Sequence, residues 1–274
     1  MHLKKLLTIP ILRNILAFNY RLFIIFLESW SKIRLAICWL FTSRETTNFT
    51  YDLTDLNKQY LAQTVSIITK KPQSEILKYI QEIDSNNLLK IHIFNETKKS
   101  SESYKSDKTI YFGRRIGWYA LVRAVKPKTV VETGVDKGLG SCILISALMK
   151  NKEEGYKGYY YGTDINPKAG YLLTGEYSKY GEILYGDSIE SLKKLNKQID
   201  VFINDSDHSS NYEYKEYLTI RSKLSSNAII LGDNSHCTTK LLEFSKETNR
   251  KFLFFAEVPK NYWREGAGIG FSYK

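Results

Sequence analysis

The chain has 274 residues, 43% hydrophobic and 25% charged, which excludes a disordered polymer and suits one large domain with an appendage. Its three cysteines, Cys38, Cys142 and Cys237, are far apart and odd in number, so a disulfide framework is excluded and they read as free thiols in a reducing compartment. The net charge is +11, and seven basic residues lie in the first 50 against only Glu28 and Glu45, so the basic excess falls where the chain is also most apolar.

Residues 1–45 form a basic, apolar segment expected to be helical. Its longest runs free of polar residues are short, Leu22 to Leu27 and Leu35 to Phe41. Arg13, Arg21, Glu28, Lys32 and Arg34 interrupt the roughly 18 apolar residues that a spanning helix wants. No small-residue cleavage site follows, so a secretory signal peptide is not expected. Basic residues interleaved with Phe23, Phe26, Trp30 and Trp39 fit a helix lying in a membrane interface. A cap on the main domain and a homodimerisation helix are the alternatives, and all three stay open. The expected location is cytoplasmic, with peripheral contact at the inner face of the membrane.

Residues 46–125 read as a helical cap or lid. Leu61, Val65, Ile67 and Ile68 recur at helical spacing, as do Ile76, Leu77, Ile80 and Ile83 after Pro72. The stretch 95–108, NETKKSSESYKSDK, is polar and reads as a flexible loop. A helix over 115–125 ends before Pro127.

From residue 126 the pattern alternates. Strands are expected at 129–133, 159–164, 182–187, 200–205, 228–233, 252–258 and 268–273, with helices near 141–150, 188–195 and 212–224. Short apolar strands separated by helices predict an α/β, Rossmann-like, doubly wound, mostly parallel seven-stranded sheet. The last two strands leave no room for a helix between them, so the last strand is expected to run reversed.

The first strand runs into Glu132-Thr-Gly134-Val-Asp136-Lys-Gly138-Leu-Gly140-Ser141. Such a glycine-rich turn lets backbone approach a ligand and aims the next helix N-terminus at it. Asp164 closes the second strand, where a carboxylate can accept from both ribose hydroxyls, and Asp187 follows the third, placed to reach an adenine amino group. An acidic strand end also serves as a helix N-cap, so the weight rests on several in register.

These residues resemble the class I S-adenosylmethionine-dependent methyltransferases over about 110–274. The resemblance implies that Glu132, Gly134, Gly138, Gly140, Ser141, Asp164, Asp187 and Asp205 bind S-adenosyl-L-methionine. Asp136 stands where the commonest form of the motif has glycine.

Strand four ends Asn204-Asp205-Ser206-Asp207-His208 and strand five Gly232-Asp233-Asn234-Ser235-His236. Two carboxylates and an amide at neighbouring strand ends make a hard oxygen set suited to Mg²⁺. The pattern resembles the metal-dependent O-methyltransferases, of the catechol type and the macrocin-type sugar enzymes. That resemblance implies Asp205, Asp233 and Asn234 as metal ligands, with Asp207 competing for the first position, and His208 with Asp205 as catalytic residues. Trp263 and Arg264 fall in the last loop, which in this fold overhangs the acceptor pocket.

The expected function is therefore O-methylation of a hydroxyl on a small-molecule, glycan or lipid-linked acceptor. An RNA or DNA methyltransferase is the second reading, prompted by the charge. Against it, strand four does not end in the Asn-Pro-Pro-aromatic pattern, so no nucleic acid is expected. A non-catalytic, membrane-attached cofactor-binding module is the third.

Overall fold

The computed structural model describes residues 10–45, 51–207, 209–233 and 235–274. The described residues divide into two compact units, one of those up to 43 with 261–265, the other of those from 44 to 260 with 266–274.

In the first unit, helix α1 (Pro10–Thr42) is one continuous helix with no buried residue. Trp39 packs on Trp263 with ring centroids 5.4 Å apart, and Lys32 Nζ donates to Glu265 Oε1 at 3.0 Å.

The second unit begins with three helices, α2 (Asp55–Thr69), α3 (Gln73–Asp84) and α4 (Asn87–Lys99). Their boundaries follow local chemistry. The Thr54 hydroxyl caps α2 by accepting from Asn57 N at 3.2 Å, and Lys70 at φ 56° ends it in a left-handed turn. Asn86 caps α4 by accepting from Leu89 N at 3.0 Å. The flexible loop expected over 95–108 is partly wrong: residues 95–99 finish α4, and a short 3-10 turn covers Ser103–Lys105. Leu89 and Ile93 are buried and anchor a helix that runs on through the polar residues 95–99, so composition alone misread its end.

Helix α5 (Arg115–Val125) is buried along nearly all its length and carries Trp118 and Tyr119 into the interior. Gly117 lets α2 approach, since a Cβ there would sit 2.8 Å from Leu61 Cδ1. The Arg123 guanidinium ties three helices: it donates to Glu82 on α3 at 2.8 Å and to Glu154 at 2.6 Å, just past α6 (Leu139–Glu153).

The seven strands are β1 (Thr129–Thr133), β2 (Tyr159–Asp164), β3 (Gly181–Tyr185), β4 (Ile199–Asn204), β5 (Leu224–Gly232), β6 (Lys251–Ala256) and β7 (Gly268–Tyr273). They lie in the order β3-β2-β1-β4-β5-β7-β6. β1 to β5 pair in parallel, and β7 runs antiparallel between β5 and β6. This is the expected Rossmann-like sheet with its reversed last strand. Helices α7 (Ser188–Lys194), α8 (Ser210–Ile220) and α9 (Lys240–Glu247) complete the connections. Val131, Phe202 and Ile230 of the sheet meet Tyr217 and Phe244 of α8 and α9 in one fully buried cluster.

The order of strands turns around between β1 and β4. Connections from β1 and β4 leave towards opposite edges there, which opens a crevice at their carboxyl ends. Glu132, Asp164, Asp205 and Asp233 all lie at that edge.

Candidate active site

At the end of β1 the chain must pass close under β4. A Cβ on Gly134 would lie 2.0 Å from the Asp205 carbonyl oxygen, and φ there is +82°, so only glycine fits. Asp136 also takes positive φ, 48°, the conformation a glycine would supply at no steric cost. Its backbone N–H donates to Asp164 Oδ2 at 2.8 Å, and Asn166 N donates to Asp164 Oδ1 at 2.8 Å. The glycine-rich turn is thus fastened to the acidic end of β2. Gly140 is required for a different reason: a Cβ would meet Glu132 Oε1 at 2.2 Å.

Two adjoining cavities open over this edge. The first, about 540 Å³, is lined by Glu132, Gly134, Gly140, Asp205 and Asp233, together with Arg114 and Arg115. The second, about 550 Å³, is lined by Gly134, Asp164, Asp187 and Asp205, with Asp207 and Tyr212. Gly134, Asp136 and Asp205 belong to both. Each is of the size that small ligands occupy, and together they make one elongated groove.

The expected residues play unequal parts. Asp164 is half-buried and faces the second cavity. Asp187 faces it too, but first caps α7: Oδ1 accepts from Glu190 N at 3.0 Å and Oδ2 from the Tyr212 hydroxyl at 2.7 Å. Those bonds, the backbone one foremost, hold its carboxyl below the usual aspartate range. Glu132 is buried, accepts from Ser141 at 3.0 Å and from the Tyr160 hydroxyl, and burial pushes it up to about 7. Ser141 is a correction. Its hydroxyl is fully buried between Glu132 and Tyr160, 2.7 Å from the latter, so it supports the loop from beneath instead of facing a cavity. Gly138, at φ 95°, starts α6 and lines neither cavity. Asp207 accepts from Ser209 N at 2.7 Å in a turn before α8.

Asp205 and Asp233 do come together, but arginines take the place expected for a metal. Both oxygens of Asp233 accept from the Arg114 fork, through Nε and Nη2. Arg114 Nη1 reaches Glu257 Oε2 at 3.3 Å, and Arg115 Nη2 stands 3.5 Å from Asp205 Oδ2. Burial pushes the Asp233 carboxyl up, yet Arg114 overrides it and holds it below the usual aspartate range. Burial and the neighbouring Asp233 charge push Asp205 well above its usual range. A divalent cation needs deprotonated carboxylates with free lone pairs. Here both oxygens of Asp233 are engaged by the Arg114 guanidinium and Arg115 stands beside Asp205, so the described residues do not offer that set of lone pairs to Mg²⁺. Among the described residues no group of three His, Cys, Asp or Glu side chains could hold a metal ion. Asn234 and His208, the third expected ligand and the expected base, lie outside the described residues.

Sequence reading missed several groups. Arg114 and Arg115 open a helix that looked only structural. His236 and Cys237 line the first cavity, and His236 Nδ1 stands 3.1 Å from the Asp233 backbone oxygen. Glu216, fully buried on α8, accepts from Thr133 at 3.1 Å, from Ser206 at 2.8 Å, and from Ser188 and Asn204. One carboxylate thereby gathers the ends of β1 and β4 and the start of α7. Only a helical spacing against polar strand ends could have hinted at it.

Residues 131–235, from β1 to just past β5, match the family model described as a methyltransferase domain. Over that segment the chain is similar to a methyltransferase domain. No curated protein matches the sequence. Among solved structures, a protein designated an O-methyltransferase from Klebsiella pneumoniae is 12% identical, with a TM-score of 0.51 over 71% of this chain and 93% of that one. One designated a caffeoyl-CoA O-methyltransferase from Staphylococcus aureus is 15% identical, with a TM-score of 0.51 over 80% of this chain and 100% of that one. At such identities the likeness is one of fold. The segment matched by the family model holds every expected site residue.

Proposed function

We propose that the domain transfers the methyl group of S-adenosyl-L-methionine to a hydroxyl oxygen of a small acceptor, without a divalent cation. The observation that carries the cofactor is the groove in which Gly134 and Asp164 are locked together through the Asp136 N–H. Asp164 and Asp187 would hold the nucleoside end in the second cavity, since carboxylates accept from ribose hydroxyls and an adenine amino group. The methionine end would enter the first cavity, beside Glu132 and Gly140.

The sulfonium then lies near Gly134 and Asp205, where the cavities join. An acceptor oxygen attacks the methyl carbon in line, the C–S bond breaks, and S-adenosylhomocysteine leaves as a neutral thioether. Positioning supplies much of such an acceleration. The hydroxyl proton must go to a base within hydrogen-bond reach. His208, three residues beyond Asp205, is one proposed base. His236 is the other, and the cavity geometry favours it: an Nδ1–H donated to the Asp233 carbonyl leaves Nε2 with its lone pair. Asp205, beside Asp233 and Arg115 where the cavities join, would help to position the acceptor. Arg115, which lines the first cavity, supplies positive charge for a developing alkoxide.

The test is a panel of hydroxylated acceptors and their methyl ethers with S-adenosylmethionine, followed by S-adenosylhomocysteine release and mass spectrometry of the product. Turnover confined to free hydroxyls, and unaffected by EDTA, is expected. A methyl group found on nitrogen, or activity abolished by EDTA and restored by Mg²⁺, would contradict the reading.

A further inference from the structure

Helix α1 is 33 residues long, and not one of them is buried. Every residue from Leu22 to Phe26 is more than two-fifths exposed, and Leu27 is 50% exposed. Six successive residues point in all directions around a helix, so this apolar surface is not a single seam for one partner helix. Four of the helix's five charged residues cluster. Arg13, Arg21, Glu28 and Lys32 follow one another at intervals of eight, seven and four, which puts them on one stripe roughly 100° wide. The remainder of the circumference is mainly apolar, interrupted by Asn19, Ser29 and Arg34, and it carries Phe18, Phe23, Phe26 and Trp30, each more than half exposed.

Length and composition alone would let α1 cross a bilayer. The position of Arg21 decides against it. Only the windows 10–27 and 14–31 hold 18 residues with as few as two charges, and both put Arg21 near the middle. A charge at that depth costs about 2.5–3.5 kcal/mol, whereas a helix lying flat leaves its stripe among the headgroups. With Arg34 the helix carries four positive charges against Glu28, so the headgroups it complements are anionic. The same unit holds Trp263, packed on Trp39, and Arg264, whose guanidinium lies 5.7 Å from the Trp263 ring centre. Aromatic rings beside basic groups are the pairing that the water–lipid boundary favours.

We propose that this unit docks on an anionic lipid surface, with α1 lying in the interface plane, its Phe and Leu side chains among the acyl chains and its Arg13–Arg21–Lys32 stripe at the headgroups. The inference is independent of the methyl-transfer reading.

The test is flotation of the full chain with vesicles of phosphatidylcholine alone or mixed with phosphatidylglycerol, at low and high salt, beside a Phe23→Ser, Phe26→Ser double variant. At least about tenfold more protein should float with the anionic vesicles at low salt, and the double variant should lose that excess while keeping its Tm. Alkaline carbonate should strip the wild type. Retention after carbonate would mean a spanning helix and overturn the proposal. No flotation, with a dimer in sedimentation that the double variant dissociates, would assign the face to a second copy of the chain. No flotation and no dimer would also overturn it.

Discussion

The backbone N–H of Asp136 donates to Asp164 Oδ2 at 2.8 Å, joining the glycine-rich turn after β1 to the acidic end of β2. The bond comes from the main chain, and it needs Asp136 in the left-handed region at φ 48°. What this position requires is a conformation, which is how aspartate can stand where the common motif has glycine. Asp136→Gly should therefore keep affinity for S-adenosylhomocysteine within about twofold, because the donor survives. Asp136→Val should weaken it by about tenfold, since a β-branched residue resists that conformation by roughly 1–2 kcal/mol. Calorimetric titration of the two variants checks the order; equal losses would count against it.

Gly134→Ala is expected to be far more damaging. The added methyl would collide with main chain, 2.0 Å from the Asp205 carbonyl oxygen, and backbone cannot swing aside as a side chain can. Cofactor binding should vanish and Tm should fall by several degrees, corresponding to a loss of more than about 2 kcal/mol. A variant with unchanged Tm and affinity would show that β1 and β4 are not this close.

How much of this was legible beforehand depended on which residues speak locally. The strands were readable because Val130-Val131 and Phe202-Ile203 are short apolar runs, and β1, β2 and β7 lie where their composition puts them. The glycines and Asp164 were readable because a turn with positive φ and a strand-end carboxylate leave marks in sequence. Arg114 left none. Its partners, Asp233 and Glu257, are more than a hundred residues away, and sequence spacing cannot show which cation reaches a carboxylate first. Asp205 and Asp233-Asn234 were therefore read as a Mg²⁺ set without sight of the fork, and the last turn of α4, residues 95–99, was read as loop because those residues are polar.

The arginine fork yields a prediction of its own. Titrating Mg²⁺ or Mn²⁺ into the wild-type protein should give no binding heat at the Asp205–Asp233 pair. Arg114→Ala should destabilise the fold by about 3–5 kcal/mol, because Asp233 and Glu257 are left buried without their partner. Stoichiometric Mg²⁺ binding by the wild type would overturn the arginine assignment.

Glu132 and Glu216 set a pH dependence. Burial raises both from an ordinary value of 4.5 to about 7, so between those values the folded chain holds protons that the unfolded chain has released. Stability contributed by these groups is then greatest at the acid end and falls as pH rises from about 4.5 to about 7, levelling off above. Thermal melts across that range should show Tm declining with pH, and Glu216→Gln should flatten the decline. A Tm that climbs through the same window, and climbs equally in the variant, would contradict the assignment.

The central claim is that the groove at the β1, β2 and β4 ends binds an S-adenosyl ligand through Asp164. Calorimetric titration of S-adenosylhomocysteine into the wild-type chain and into Asp164→Ala, with Tm measured for both, tests it most directly. Micromolar, one-to-one binding that the substitution removes from a still-folded protein is the predicted result. Binding that survives the substitution, or no binding by well-folded wild type, would contradict the account.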